Sequence, residues 1–148
     1  MRILGGYRDT EEGKVMVKAR AEVIIDRPAD VVWARVRDFV DVSWVPGAER
    51  SQMDGDLRTV WMKGRESPVQ QRLVHHDDVK REFGYRLATD VVLGPGKSIS
   101  GLEGTFAVTP QGDSSWVTWD VDTDEFIAGN VSKEYQGALN NLKAMLEG

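Results

Sequence analysis

The 148-residue sequence contains no cysteine. Disulfides, thiolate metal sites and a cysteine nucleophile are therefore excluded, and the lack fits a reducing compartment such as the cytoplasm. Histidine occurs only as the adjacent pair His75 and His76. Neighbours on a strand point to opposite faces, so the pair does not converge on one ion and no metal is expected. No phosphate loop, dinucleotide fingerprint or Ser/His/Asp set is present, so no cofactor is implied. No apolar run approaches the ~18 residues of a membrane span. The opening Met1-Arg2-Ile3-Leu4-Gly5-Gly6 lacks the apolar run of a signal peptide. Lysine and arginine total 19 against 24 acidic residues, for a net charge of −5. They form no cluster, which makes nucleic acid and anionic membrane surfaces poor partners.

What is present is an ordinary globular balance, 41% hydrophobic and 29% charged, in a chain long enough to bury one core without staples. Residues 1–13 read as a flexible arm or a short edge element, and 14–148 as a single domain. From Val15 to Asp26 apolar and polar residues alternate, with Val15, Val17, Ala19, Ala21, Val23 and Ile25 on one face of a long strand. Pro28 opens a helix near 28–38, with Asp26 as a candidate acceptor for its free N–H groups. Residues 40–46 read as a second short helix stopped by Pro46-Gly47. Turn signals then separate six strands, at 48–53, 57–63, 69–76, 81–89, 99–109 and 115–125. A last helix from about 129 to 147 carries Val131, Tyr135, Ala138, Leu139, Leu142, Met145 and Leu146 on one stripe. The fold class is α+β: seven antiparallel strands curved around one long C-terminal helix, with room between them for an apolar guest.

Four strings carry a resemblance: Ile25-Asp26-Arg27-Pro28-Ala29-Asp30-Val31-Val32-Trp33, Val36-Arg37-Asp38-Phe39 leading to Trp44-Val45-Pro46-Gly47, Glu103-Gly104-Thr105-Phe106-Ala107-Val108-Thr109-Pro110, and Val117-Thr118-Trp119. In this order they resemble the START/Bet v 1-like (SRPBCC) superfamily, and within it the polyketide cyclase/dehydrase and lipid-transport group. The resemblance implies a helix-grip fold and a hydrophobic ligand. Gly64–Leu73 and Gly94–Ser98 sit where the plant abscisic-acid receptors of the superfamily have their gate and second loops. The receptors' carboxylate-binding lysine falls at or near Gly47 and their pocket tyrosine at Leu102, so only the architecture, a cavity closed by two loops, carries over.

Candidate site residues follow from strand and helix parity. Arg58 shares a face with Val60 and Met62, and a cavity arginine would pair with a ligand carboxylate or enolate. The opposite register, with Leu57, Thr59 and Trp61 inward, fits the pattern equally well. On the last strand the alternation turns Val117, Trp119 and Val121 inward and leaves Asp120, Asp122 and Asp124 on a solvated face. The receptor resemblance turns Asp120 inward instead, as a general base. Tyr135 lies on the apolar stripe, its hydroxyl directed to a ligand or to the backbone, and Glu134 flanks it at the cavity mouth. The catalytic candidates are thus Arg58, Asp120 and Tyr135. The ligand-contact candidates are Val60, Met62, Trp119, Leu102, Phe106, Tyr135, Ala138 and Leu139. Three functions remain open: binding a lipid, polyketide or isoprenoid; cyclase, aromatase or dehydratase chemistry in the same cavity; and ligand-dependent regulation of a partner protein. The oligomeric state stays open too, a dimer among the options.

Overall fold

The computed structural model describes residues 2–8 and 15–148. Ten strands and two helices follow one another: β1 Arg2–Arg8, β2 Val15–Ile25, α1 Ala29–Val36, β3 Ala48–Asp54, β4 Leu57–Met62, β5 Val69–Asp77, β6 Glu82–Leu87, β7 Val91–Gly94, β8 Lys97–Ile99, β9 Glu103–Gln111, β10 Ser114–Asp124 and α2 Glu125–Glu147. Eight strands form one antiparallel sheet in the order β1-β2-β10-β9-β6-β5-β4-β3, and β7 and β8 form a separate hairpin. All seven expected strands are in the large sheet. The arm expected at 1–13 contributes β1, paired with β2; residues 1 and 9–14 lie outside the described residues.

Alternation works as the sequence implies. Val17, Ala19, Ala21 and Ile25 of β2 are buried, where α2 packs across β2 and β10. A half-buried antiparallel strand has this period. Helix α2 starts four residues before its expected position. Asp124 caps it by accepting from the Phe126 N–H at 3.0 Å, and Glu125 adds a favourable charge in the first turn. Met145, placed on the apolar stripe, is exposed. Helix α1 has no side-chain cap; the Pro28 carbonyl accepts from Val31 and Val32 N–H, and Asp26 instead accepts from Ser114 Oγ. Trp33 Nε1 donates to Asp78 at 2.8 Å, which ties α1 to the β5–β6 turn.

The expected second helix at 40–46 is not formed. The segment is a run of tight turns, with Val45 N–H bonded to Val42 O and Ala48 N–H to Val45 O. Pro46 has no N–H and disfavours helical backbone in the residue before it, so turns replace a helix. The expected strand 99–109 is also split: Gly101 at φ +69° breaks the chain between β8 and β9.

Aromatic rings make up much of the core. Phe83 and Phe106 stack with centroids 5.2 Å apart, Phe39 meets Phe83 edge-on, and Trp44 lies against Phe106 and Trp119. These rings fill the space under α1 and the 40–46 turns. Beyond them, toward α2 and the loops, the interior stays open.

Candidate functional site

A cavity of about 550 Å³ opens between the sheet and α2, within the usual size range for small-molecule sites. Its walls come from β4, β5, β6, β10 and α2. The 42–46 turns, the 63–69 loop and the β7–β8 hairpin supply its rim, through residues such as Val45, Lys63, Arg65 and Val91.

Strand β4 takes the register that turns Arg58, Val60 and Met62 to the cavity. Trp61 lies on the other face, under the Arg50 guanidinium at 3.9 Å. Leu102, Trp119, Tyr135 and Ala138 also line the cavity. Phe106 and Leu139 do not. Both are fully buried, Phe106 beneath the Trp119 ring at 5.6 Å, so the tryptophan rather than the phenylalanine faces the cavity. Asp120 sits outside the cavity, where Arg20 grips it through two hydrogen bonds of 2.7 and 3.0 Å. The neighbouring acids are used singly: Asp122 pairs with Lys18 and Asp124 caps α2. The histidines are exposed, with His76 Nε2 against the Arg37 carbonyl. Among the described residues no group of three acidic or histidine side chains could hold a metal.

Arg58 is the unusual residue. It is only 8% exposed, yet among the described residues none of its partners is a carboxylate. Nε donates to Gln71 Oε1 at 2.9 Å and Nη2 donates to the same oxygen. Nη1 donates to the Phe39 carbonyl at 2.6 Å, and the guanidinium lies 3.7 Å from the centre of the Phe39 ring. Gln71 faces Arg58 directly across the β4–β5 pair. Burial lowers the Arg58 pKa to about 10, so the side chain remains a cation at neutral pH.

Tyr85 and Tyr135 complete the polar wall. Their hydroxyl oxygens are 2.5 Å apart, and Trp119 Nε1 donates to Tyr85 at 2.9 Å. The Trp119 and Tyr135 rings stack at 3.8 Å. Burial pushes Tyr85 up to about 12 and Tyr135 well above the ordinary phenol value. Both therefore hold their protons and act as hydrogen-bond groups or weak acids, not bases. Glu134, at the edge, is the one carboxylate in the lining among the described residues. The arrangement can polarise and orient an oxygen atom, with little capacity to remove a proton deep inside.

Tyr85 and Gln71 were not singled out in the sequence. The alternation of Phe83, Tyr85 and Leu87 marks their face. The deciding feature for Tyr85 is non-local: it pairs across the strands with Gly104, where a Cβ would fall 2.5 Å from Tyr85 Cζ. Only a glycine leaves room for the phenol to cross β9 and reach Trp119 and Tyr135.

The same architecture recurs in solved structures. XoxI from Bacillus cereus is 19% identical with a TM-score of 0.77, covering 88% of this chain and 98% of its own. The Zhui aromatase/cyclase from Streptomyces sp. R1128 is 15% identical with a TM-score of 0.70, covering 89% and 94%. A START superfamily protein from Mycobacterium smegmatis is 14% identical with a TM-score of 0.66, covering 87% and 98%. No curated protein matches the sequence. At these identities the likeness establishes the helix-grip fold alone. The sequence itself goes further: residues 16–147, nearly all of the cavity-bearing domain, match one family model, and the chain belongs to the polyketide cyclase/dehydrase and lipid transport family.

Proposed function

We propose that this chain binds an apolar small molecule of lipid, polyketide or isoprenoid type, with an anionic or enolate-like oxygen of the guest seated at Arg58. The observation that carries this reading is a buried guanidinium, held among the described residues by neutral acceptors, facing a largely apolar cavity. Burying a cation without a counter-charge is costly. A guest anion would offset that cost through a charge-assisted, forked contact. Val60, Met62, Leu102 and Ala138 supply the apolar contact for the rest of the guest. The test is mass spectrometry of small molecules extracted from the purified protein. An apolar compound with an acidic or enolisable oxygen should accompany the wild-type chain and be depleted from Arg58→Met. Equal recovery from both proteins would refute the role of Arg58.

A second reading is favoured by the convergence of Arg58, Tyr85 and Tyr135: cyclase or dehydratase chemistry on a polyketide-like substrate. Arg58 would stabilise an enolate and a phenol would donate to a carbonyl. Asp120 faces away, so proton removal would fall to Glu134 at the rim. Turnover of a poly-β-ketone mimic that is lost in Glu134→Gln, with guest binding retained, would establish this reading over simple carriage.

A further inference from the structure

We infer that the row Trp119–Tyr85–Tyr135 is a second polar subsite, separate from Arg58, which always offers one O–H hydrogen to the cavity and selects guests with a neutral carbonyl oxygen beside α2. The inference rests on the reading of the cavity as a site for an apolar guest and adds what the guest must carry.

Hydrogens outnumber the contacts within the row. The Trp119 indole, the Tyr85 hydroxyl and the Tyr135 hydroxyl bring one each. The row contains two contacts, Trp119 to Tyr85 and Tyr85 to Tyr135, and each consumes one hydrogen. One is left over in either arrangement. The indole is fixed as a donor, so the surplus belongs to a phenol. No other polar atom among the described residues bonds either hydroxyl. A buried donor without an acceptor costs free energy, which a guest oxygen relieves.

Position decides which phenol carries it. Tyr85 is 1% exposed, with its ring against the Gly104 backbone. Both phenols line the cavity, but Tyr135, on α2, is only half-buried. The favoured direction is therefore Trp119 to Tyr85 to Tyr135 to guest. Successive donation along the row polarises each bond in turn and strengthens the last donor. Burial keeps both phenols protonated, so the donor persists at neutral pH. An alcohol could also accept here, but its own hydrogen would find no acceptor in the row. A carbonyl oxygen fits without that penalty.

Two probes, 2-acetylnaphthalene and 2-ethylnaphthalene, differ at one carbonyl. Each is titrated into the wild-type chain, Tyr135→Phe and Arg58→Met, and the carbonyl stretch of the bound ketone is recorded by infrared difference spectroscopy. Tyr135→Phe keeps the ring stack on Trp119, removes the donor beside α2 and moves the surplus hydrogen back to Tyr85, which is 1% exposed. The affinity ratio of ketone to hydrocarbon should fall roughly three- to tenfold in Tyr135→Phe, the range expected for one net hydrogen bond. The stretch, below its hexane value in the wild-type protein, should return toward it. Several results overturn the inference: a wild-type stretch at the hexane position, a parallel loss of both probes in Tyr135→Phe, or a shift that disappears in Arg58→Met but survives in Tyr135→Phe. Binding of the hydrocarbon without these ketone effects overturns the donor subsite alone. Failure of both probes to bind overturns the cavity reading itself and the inference with it.

Discussion

Replacing Arg58 with methionine should weaken binding of a carboxylate while changing stability by no more than a small amount of either sign. Burial holds the Arg58 pKa down at about 10, and a depression of that size disfavours the charged form in the empty protein by about 3 kcal/mol. Methionine removes this cost and keeps an apolar stem in the wall. Against the gain stand the Phe39 carbonyl, which loses its donor at about 1–3 kcal/mol, and the ring contact with Phe39, worth about 0.5–2 kcal/mol. The Gln71 amide lines the cavity and can turn toward water there. The opposing effects are of similar size, so the net change should lie within about 2 kcal/mol of zero. For a chain of this length that is a shift in Tm of at most about 4–8 °C, read by calorimetry. Affinity for 1-naphthaleneacetate, a carboxylate on an apolar frame, should fall roughly 10- to 150-fold, the range for a hydrogen bond to a charged group. Affinity for uncharged 2-ethylnaphthalene should hold. A Tm drop well beyond ~10 °C, or equal losses for the two probes, would show that Arg58 is a structural support and not a ligand anchor.

Alkaline stability gives a second test. A buried tyrosine with a raised pKa contributes stability that is fully present below the unfolded phenol value near 10 and is lost as pH rises through the folded value, about 12 for Tyr85. Arg58, with its pKa lowered, acts in the opposite sense, its penalty being relieved as pH rises above about 10. Two tyrosines outweigh one arginine, so urea titrations should show stability falling between about pH 10 and 12, less steeply in Tyr85→Phe; a rise over that window would contradict the assignment. Gly104→Ala places a Cβ 2.5 Å from Tyr85 Cζ in the core and should cost about 1–3 kcal/mol by urea unfolding, as overpacking does. Gly84→Ala, whose Cβ meets only the exposed His75 ring, should cost much less, and equal losses would contradict the account of Gly104. Asp120→Asn should leave probe binding unchanged and cost about 1 kcal/mol, because its pair with Arg20 lies outside the cavity and is only partly buried; lost binding would put Asp120 back among the site residues.

Most of the fold was legible because alternation is a local signal. β2 and the apolar stripe of α2 needed only side-chain periodicity and its burial. The start of α2 was obscured by Gly129, which lies inside the helix although glycine there is unfavourable by about 1 kcal/mol. Asp124, read as a strand-face acid, and Glu125, read as the last residue of that strand, are in fact its cap and first turn. The 40–46 segment has helical apolar spacing, but Pro46 imposes turns. At the site, parity placed Trp119 against Asp120 and left the face of β4 open; pairing of Arg58 with Gln71 across the sheet resolves it. Tyr85 was invisible because its place depends on a glycine 19 positions away on a strand that pairs with its own. Contacts of that kind arise from sheet order, which no local window contains.

The central claim is an open cavity with Arg58 at its polar end. It is tested most directly by titrating 1-naphthaleneacetate into the wild-type chain and into Ala138→Phe, which grows a ring from the cavity wall. Saturable one-to-one binding to the wild type, lost in Ala138→Phe while the far-ultraviolet spectrum is unchanged, is the predicted result. Equal binding to both proteins, or binding to neither, would contradict it.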